Sequence, residues 1–270
     1  MDKPLSPIAR LVLLGAGALA IVAGPVLYLL PQHTAAYFAW HIQHPLTPVF
    51  MGASYLAGIG NFAAVTVNRW SLARVQVPAI VVFAAMMLVA TVLHIPIFNW
   101  SHPIAWAWLA VYVVSPLAAA ALFVLSERDY RPPSLARPRL PAFFGPAMGT
   151  LAILDGLIGI ALFLLPQQVA PLWPWSLTPL TARVIGGWYL GGVALKGMLA
   201  RQRTLATAWI GLLATAITVA LLLIGAWWYR ANLDGPVLAI ALYLLMLFIN
   251  GGISVYTWWR ATRSTPVPQT

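Results

Sequence analysis

The sequence feature that most restricts the fold is a series of eight apolar stretches, each close to the length of a membrane-spanning helix. A helix needs roughly 20 mostly apolar residues to cross the hydrocarbon core of a bilayer. Only 7% of the residues are charged and 61% are hydrophobic, so a water-soluble fold would have too few polar side chains to cover its surface. We therefore expect an all-α integral membrane protein. The stretches run from about Leu11 to Leu30, Val49 to Val67, Val75 to Phe98, Ile104 to Leu125, Phe144 to Leu165, Val184 to Ala200, Leu205 to Trp228 and Pro236 to Thr257.

The connections between these stretches alternate between basic and nearly uncharged. Short cytoplasmic loops carry an excess of Lys and Arg, which predicts an even number of spans with both termini in the cytoplasm, and the cell membrane as the location. The same loops account for the net charge of +10, so we expect a lipid bilayer and not nucleic acid as the partner. The basic side holds Lys3, Arg10, Arg69, Arg74, Arg128, Arg131, Arg137, Arg139, Arg201, Arg203, Arg260 and Arg263, and the other side holds only Arg183 and Arg230.

The two halves of the chain resemble each other in sequence. Because each half has four stretches, this match predicts two parallel four-helix repeats related by an approximate two-fold axis along the bilayer normal. The predicted units are a first repeat over 1–125, a basic and Pro-rich cytoplasmic connector over 126–143, a second repeat over 144–260 and a flexible cytoplasmic tail over 261–270. The matched residues are Tyr28 to Gln32 with Phe163 to Gln167, Trp40 with Trp175, Pro45 to Thr47 with Pro179 to Thr181, Gly52 with Gly186, Tyr55 with Tyr189, Gly58 with Gly192, and Arg69 with Arg203.

Asp155 lies near the middle of the fifth stretch and is the most informative single residue. A carboxylate at that depth costs on the order of 2.5–3.5 kcal/mol on insertion scales, so it should face a partner or a cavity. Lys196 and Arg183 of the sixth stretch are the basic candidates, and depth favours Lys196. We expect these three residues to form an intramembrane polar centre; the alternative is a buried structural pair with Arg183 reaching the outer headgroups.

All five histidines lie in the outer-side connections of the first half, and the candidate metal ligands among them are His41, His44, His94 and His102. Imidazoles gathered at one face can ligate a metal or haem. The sequence therefore offers a metal site as a hypothesis, although no cofactor is required by it. Many tryptophans lie at the ends of the stretches, as is typical of the aromatic belts at membrane interfaces.

Small residues recur at a spacing of four in two of the stretches. Gly187 and Gly191 form such a pair in the sixth stretch, and Ala53 and Ala57 form one in the second. In lipid, helices approach closely over residues of this kind. We therefore expect the second and sixth helices to pack tightly against each other.

No catalytic or nucleotide-binding motif is present in the sequence, so an enzyme is not expected. The leading hypothesis is a membrane protein that handles a small solute, a lipid or an ion at a polar centre around Asp155. A second hypothesis is a non-catalytic membrane subunit or scaffold that binds partner helices or a second copy of itself. A third is a redox protein that binds metal or haem through the outer histidines.

Overall fold

The computed structural model describes residues 3–131 and 139–263. In these residues the chain is helical, and its only β-type pairing is an isolated bridge between Arg139 and Thr204. Part of the predicted connector, including Arg137, and the end of the tail over 264–270 lie outside the described residues. The prediction of an all-helical protein is confirmed.

Eight long helices follow one another along the described chain, and each overlaps one of the apolar stretches. The second consists of two α-helical segments, Leu46–Leu56 and Gly60–Val67, joined by a 3₁₀ turn over Ala57–Ile59. We number the helices α1 Pro7–Leu29, α2 Leu46–Val67, α3 Val77–Leu93, α4 Pro103–Glu127, α5 Phe144–Leu164, α6 Pro179–Ala200, α7 Leu205–Trp228 and α8 Val237–Arg263.

Six of these helices, α1, α2, α4, α5, α7 and α8, are long and apolar enough to cross a membrane by length and composition. The other two are α3, which has 17 residues, and α6, which carries Arg183 and Lys196. Large apolar side chains also face outward, and Leu117 and Val237 are 70% and 83% exposed. Lipid tails solvate apolar side chains, and a helix satisfies its own backbone hydrogen bonds. A bilayer therefore stabilises helices whose exposed side chains are apolar. The chain is therefore built as a membrane-embedded protein.

The helices of the two halves pack in the same pattern. Each half's second helix, α2 or α6, lies against its own first helix, α1 or α5, and against the third helix of the other half, α7 or α3. The third and fourth helices then pair within each half, as α3 with α4 and α7 with α8. The core between the halves is thus made by two reciprocal contacts, α2 with α7 and α6 with α3.

Glycine contacts occur at corresponding places within the two halves. A Cβ atom added at Gly52 of α2 would lie 2.7 Å from the carbonyl oxygen of Gly24 on α1. A Cβ atom added at Gly186 of α6 would lie 2.9 Å from the carbonyl oxygen of Gly159 on α5. Both helix pairs therefore touch backbone to backbone, which only residues without a Cβ permit.

The loops that follow α1 and α5 are held by buried side chains from both halves. Trp40 and Trp175 are 2% and 1% exposed, so these two tryptophans belong to the core and not to an interfacial belt. The indole Nε1 of Trp175 donates to Thr47 Oγ1 of α2 at 3.0 Å. This hydrogen bond joins the loop between α5 and α6 to α2 of the first half.

Candidate functional site

Asp155 on α5 and Lys196 on α6 form a direct ion pair inside the helix bundle. Lys196 Nζ donates to Asp155 Oδ2 at 2.5 Å, and the two side chains are 12% and 4% exposed, respectively. A buried carboxylate of this kind needs a charged or hydrogen-bonding partner. The structure thus brings together two of the three residues expected at the polar centre.

Gly192 makes the close approach of the carboxylate to α6 possible. A Cβ atom added there would lie 2.6 Å from Asp155 Oδ2 and 3.6 Å from Lys196 Nζ. Residues four apart lie on the same face of a helix, so Gly192 and Lys196 together form the surface on which the carboxylate rests. The side chain at 196 supplies the charge, and the missing side chain at 192 supplies the space.

Arg183 does not join this ion pair but lies towards the other end of α6. Its Nε donates to the carbonyl oxygen of Phe163, in the last turn of α5, at 3.1 Å. Carbonyls in the last turn of a helix lack intrahelical partners, so Arg183 satisfies one of them. The three residues were expected to form one polar centre. They instead form two separate contacts along the α5–α6 interface.

The guanidinium of Arg183 also reaches the first half. Its NH1 nitrogen lies 2.7 Å from Nε2 of His94, the residue that follows α3. Arginine can only donate, so His94 accepts through Nε2 and carries its proton on Nδ1 as a neutral ring. Burial and the positive charge of Arg183 both lower the pKa of His94, which is consistent with this neutral form.

The corresponding place in the first half carries no charge, and its polar group is the amide of buried Asn61, whose Nδ2 lies 3.9 Å from a Cβ atom added at Gly58. There, a Cβ atom added at Gly58 of α2 would lie 2.7 Å from the Cβ of Ala20 on α1, just as Gly192 faces Asp155. Phe62, four residues after Gly58, packs against Gly17 of α1. The α1–α2 interface therefore uses Ala20 and Phe62 where the α5–α6 interface uses Asp155 and Lys196.

The first half has an ion pair of its own, between the loop that precedes α3 and the last residue of α4; it is called the inner ion pair below. Arg74 lies beside Glu127, with Nε 2.8 Å from Oε1 and NH2 2.6 Å from Oε2. Trp70 Nε1 donates to Glu127 Oε1 at 2.8 Å. The hydrogen bond to Glu127 is the main reason that the pKa of Arg74 is raised. The sequence does not predict this cluster, because a basic residue in a short loop such as Arg74 indicates only topology.

The glycine pair of α6 packs against a different helix from the one expected. Gly187 and Gly191 contact Met87 and Phe83 of α3, and α6 packs on α3 far more than on α2. The expected tight α2–α6 contact is thus replaced by a tight α6–α3 contact.

Bulky rings account for the separation of α2 and α6. Tyr55 packs edge-on against Trp188 with ring centroids 5.0 Å apart, and Phe50 stacks on Tyr189 at 6.2 Å. Ala53 is fully buried, whereas Ala57 begins the 3₁₀ turn of α2.

The four histidines each have a different environment. His41 is exposed, His44 lies 3.7 Å from Asp234, His94 contacts Arg183, and His102 accepts from the backbone N–H of Ile104 at 3.3 Å. Burial lowers the pKa of His44, and the Asp234 carboxylate opposes that shift. Among the described residues, no group of three or more His, Cys, Asp or Glu could hold a metal ion. The structure therefore does not gather the predicted metal ligands.

A small crevice on the protein is apolar and lies away from the ion pair. It is formed by α2, α7, α8 and the outer loops, and its lining residues include Val49, Trp175, Leu222 and Tyr243.

Comparison of the chain with protein-family models, with curated proteins and with solved structures found no match.

Proposed function

We propose that the chain crosses the bilayer eight times, as two parallel four-helix repeats with both termini and the connector in the cytoplasm of a cell. The reciprocal contacts of α2 with α7 and of α6 with α3 support a two-fold arrangement. The paired glycine contacts at Gly52 and Gly186 support a common origin for the halves. The concentration of Arg and Lys in alternate connections supports the orientation.

We propose that this membrane protein handles a small solute or ion, and that the Asp155–Lys196 pair is its working centre. The observation that carries the proposal is the absence of an ion pair at the corresponding place in the first half, where Ala20 faces Gly58 and Phe62 packs against Gly17. Replacing a buried ion pair by apolar residues is often neutral or stabilising. Because the same scaffold packs without charges, stability alone gives no reason for the pair. Ionisable residues at membrane depth generally serve a transport or relay function.

Reconstitution into liposomes tests this function. Ion-sensitive and pH-sensitive dyes, together with osmotic shrinkage, would report whether the wild-type protein speeds the decay of imposed gradients of ions and small polar solutes. We expect at least one gradient to decay faster than in protein-free liposomes, and Asp155→Asn to lose most of that activity. Asn has nearly the same shape as Asp but cannot carry its charge.

Glu127→Gln is the matched control, because it neutralises the other ion-paired carboxylate at the inner end of the bundle. It should retain the activity of the wild type. Gradients that decay at the protein-free rate with every probe would contradict the proposal, and would favour a scaffold that binds partner helices. Full activity in Asp155→Asn would contradict the assignment of the site.

A further inference from the structure

The space around the Asp155 carboxylate restricts what the site can exchange. The carboxylate oxygen that bonds Lys196 lies so close to Gly192 that even one added methyl group would overlap it, at 2.6 Å. A hard cation such as Ca²⁺ takes about six to eight oxygen ligands, whereas this oxygen is already bonded to an ammonium group. In the packed state the site can therefore gain or lose a proton, but it has no room for a larger solute.

Lys196 gives the site a direction of access. Its side chain is 12% exposed, against 4% for Asp155, so the lysine is the more accessible partner. Lys196 lies four residues before the end of α6 at Ala200, and Cβ atoms tilt towards the start of a helix. The lysine stem therefore runs from near the basic, cytoplasmic end of α6 towards Asp155. Arg201 at that end folds back on the carbonyl oxygen of Gly197 at 2.9 Å.

Resting on the function proposed above, we infer that the ion exchanged at this site is a proton, and that Lys196 delivers it from the cytoplasmic end of α6. Lys196 Nζ gives one proton to Asp155 Oδ2, so an N–H bond breaks and an O–H bond forms. The pair becomes a carboxylic acid and an amine, and its net charge stays zero. The amine then takes a proton from a hydronium ion at the inner end, which releases water and leaves the site with one positive charge.

Few other ionisable groups act on this carboxylate. Tyr189 of α6 lies towards the outer end and interacts electrostatically with Asp155, as Lys196 does from the inner side. The guanidinium of Arg201 is the nearest charge beyond Lys196 along the same helix and is bonded to Gly197. Lys196 is thus the only one of these groups that both contacts the carboxylate and lies on the cytoplasmic side.

Infrared spectroscopy of the full chain in lipid nanodiscs tests the inference. A protonated carboxyl group has its own C=O stretching band, which shifts in heavy water. We expect a band that grows as the pH is lowered and that is lost in Asp155→Asn. In Lys196→Met, the carboxyl lacks its counter-charge in lipid, so the band should persist from acidic to alkaline pH. Glu127→Gln is the control and should keep the wild-type band.

The outcomes separate this inference from the proposed function. If no pH-dependent band is lost in Asp155→Asn, the proton inference is wrong, even where a solute flux through the liposomes depends on Asp155. If the band titrates as expected but no gradient decays faster than in protein-free liposomes, the proton site stands and the proposed function fails. Gly192→Ala provides a second variant, because crowding of Oδ2 should shift the pH at which the band appears.

Discussion

The two halves of this protein place their ion pairs at different depths. In the first half, Arg74 and Glu127 meet at the ends of helices, and in the second half Asp155 and Lys196 meet in the interior of the bundle. The second half has two buried alanines, Ala208 and Ala261, in one core cluster, at the sequence positions that correspond to Arg74 and Glu127. Each half therefore packs without an ion pair where the other half has one. Neither ion pair is therefore required for the helix packing that the two halves have in common.

Removal of one partner of the interior pair is expected to have the largest effect. Lys196→Met or Asp155→Ala removes the counter-charge of a buried group, which must then be neutralised by a change of protonation or stay buried as a lone charge. Loss of one partner of a buried ion pair typically costs about 3–5 kcal/mol. Unfolding by denaturant in mixed detergent micelles would measure the loss. Phe62→Met at the corresponding position of the first half is the control, and its cost should stay below about 1.5 kcal/mol. A single-partner variant as stable as this control would show that the ion pair is solvated and not buried.

Crowding of the paired glycine contacts should give the next largest effect and sharpen the comparison of the halves. Gly52→Ala and Gly186→Ala each push a methyl group against a neighbouring backbone, and each should destabilise the protein by about 1–3 kcal/mol. The same unfolding assay applies. Gly15→Ala and Gly149→Ala are the controls, because an added Cβ at either position meets no other atom within 4 Å. If one of the crowded variants were neutral and the other costly, the two interfaces would not be equivalent.

Neutralisation of the inner ion pair should have a smaller effect. Glu127→Gln keeps the shape of the side chain but removes the charge that accepts from Arg74 and Trp70. The pair is partly exposed, so we expect a loss of about 1 kcal/mol in unfolding free energy. Asp129→Asn, whose side chain is 81% exposed beside Lys3, is the control and should leave stability unchanged. A loss as large as that of Lys196→Met would remove the distinction in depth between the two pairs.

Acidification should produce the smallest effect, through His94 at the contact between the halves. The pKa of His94 is lowered in the folded state by burial and by Arg183, so the unfolded chain binds the proton more readily. Stability from this group is therefore complete above the ordinary histidine pKa of about 6.5 and falls as the pH drops through it. Thermal unfolding from neutral to mildly acidic pH measures this slope. His94→Gln, which can still accept from Arg183 but does not titrate, should have a shallower slope; an unchanged slope would exclude His94 as the cause.

The sequence predicted the positions of the helices along the chain and the depth of each residue along its helix. Each apolar stretch overlaps a long helix, and depth alone favoured Lys196 over Arg183 as the partner of Asp155, which is the contact seen. Both properties follow from counting residues along a helix of known rise.

The sequence did not predict which helices are neighbours. In lipid, the side chains that face the core and those that face the bilayer are both apolar, so no hydrophobic stripe reveals the buried face of a helix. For this reason the partner of Gly187 and Gly191 was expected on α2 but lies on α3. The contact between Arg183 and His94 was not predicted for the same reason. It depends on the packing of α6 against α3, which the apolar pattern does not reveal.

The most direct test is to make both substitutions, Asp155→Ala and Lys196→Met, in one chain. The stability and the liposome flux of this double variant are then compared with those of the wild type. This variant gives the second half an apolar interface like that of Ala20 and Phe62. We predict that it unfolds at no lower denaturant concentration than the wild type and loses the flux. A double variant that is as unstable as the single variants, or that keeps the flux, would contradict the claim that the ion pair serves function and not the fold.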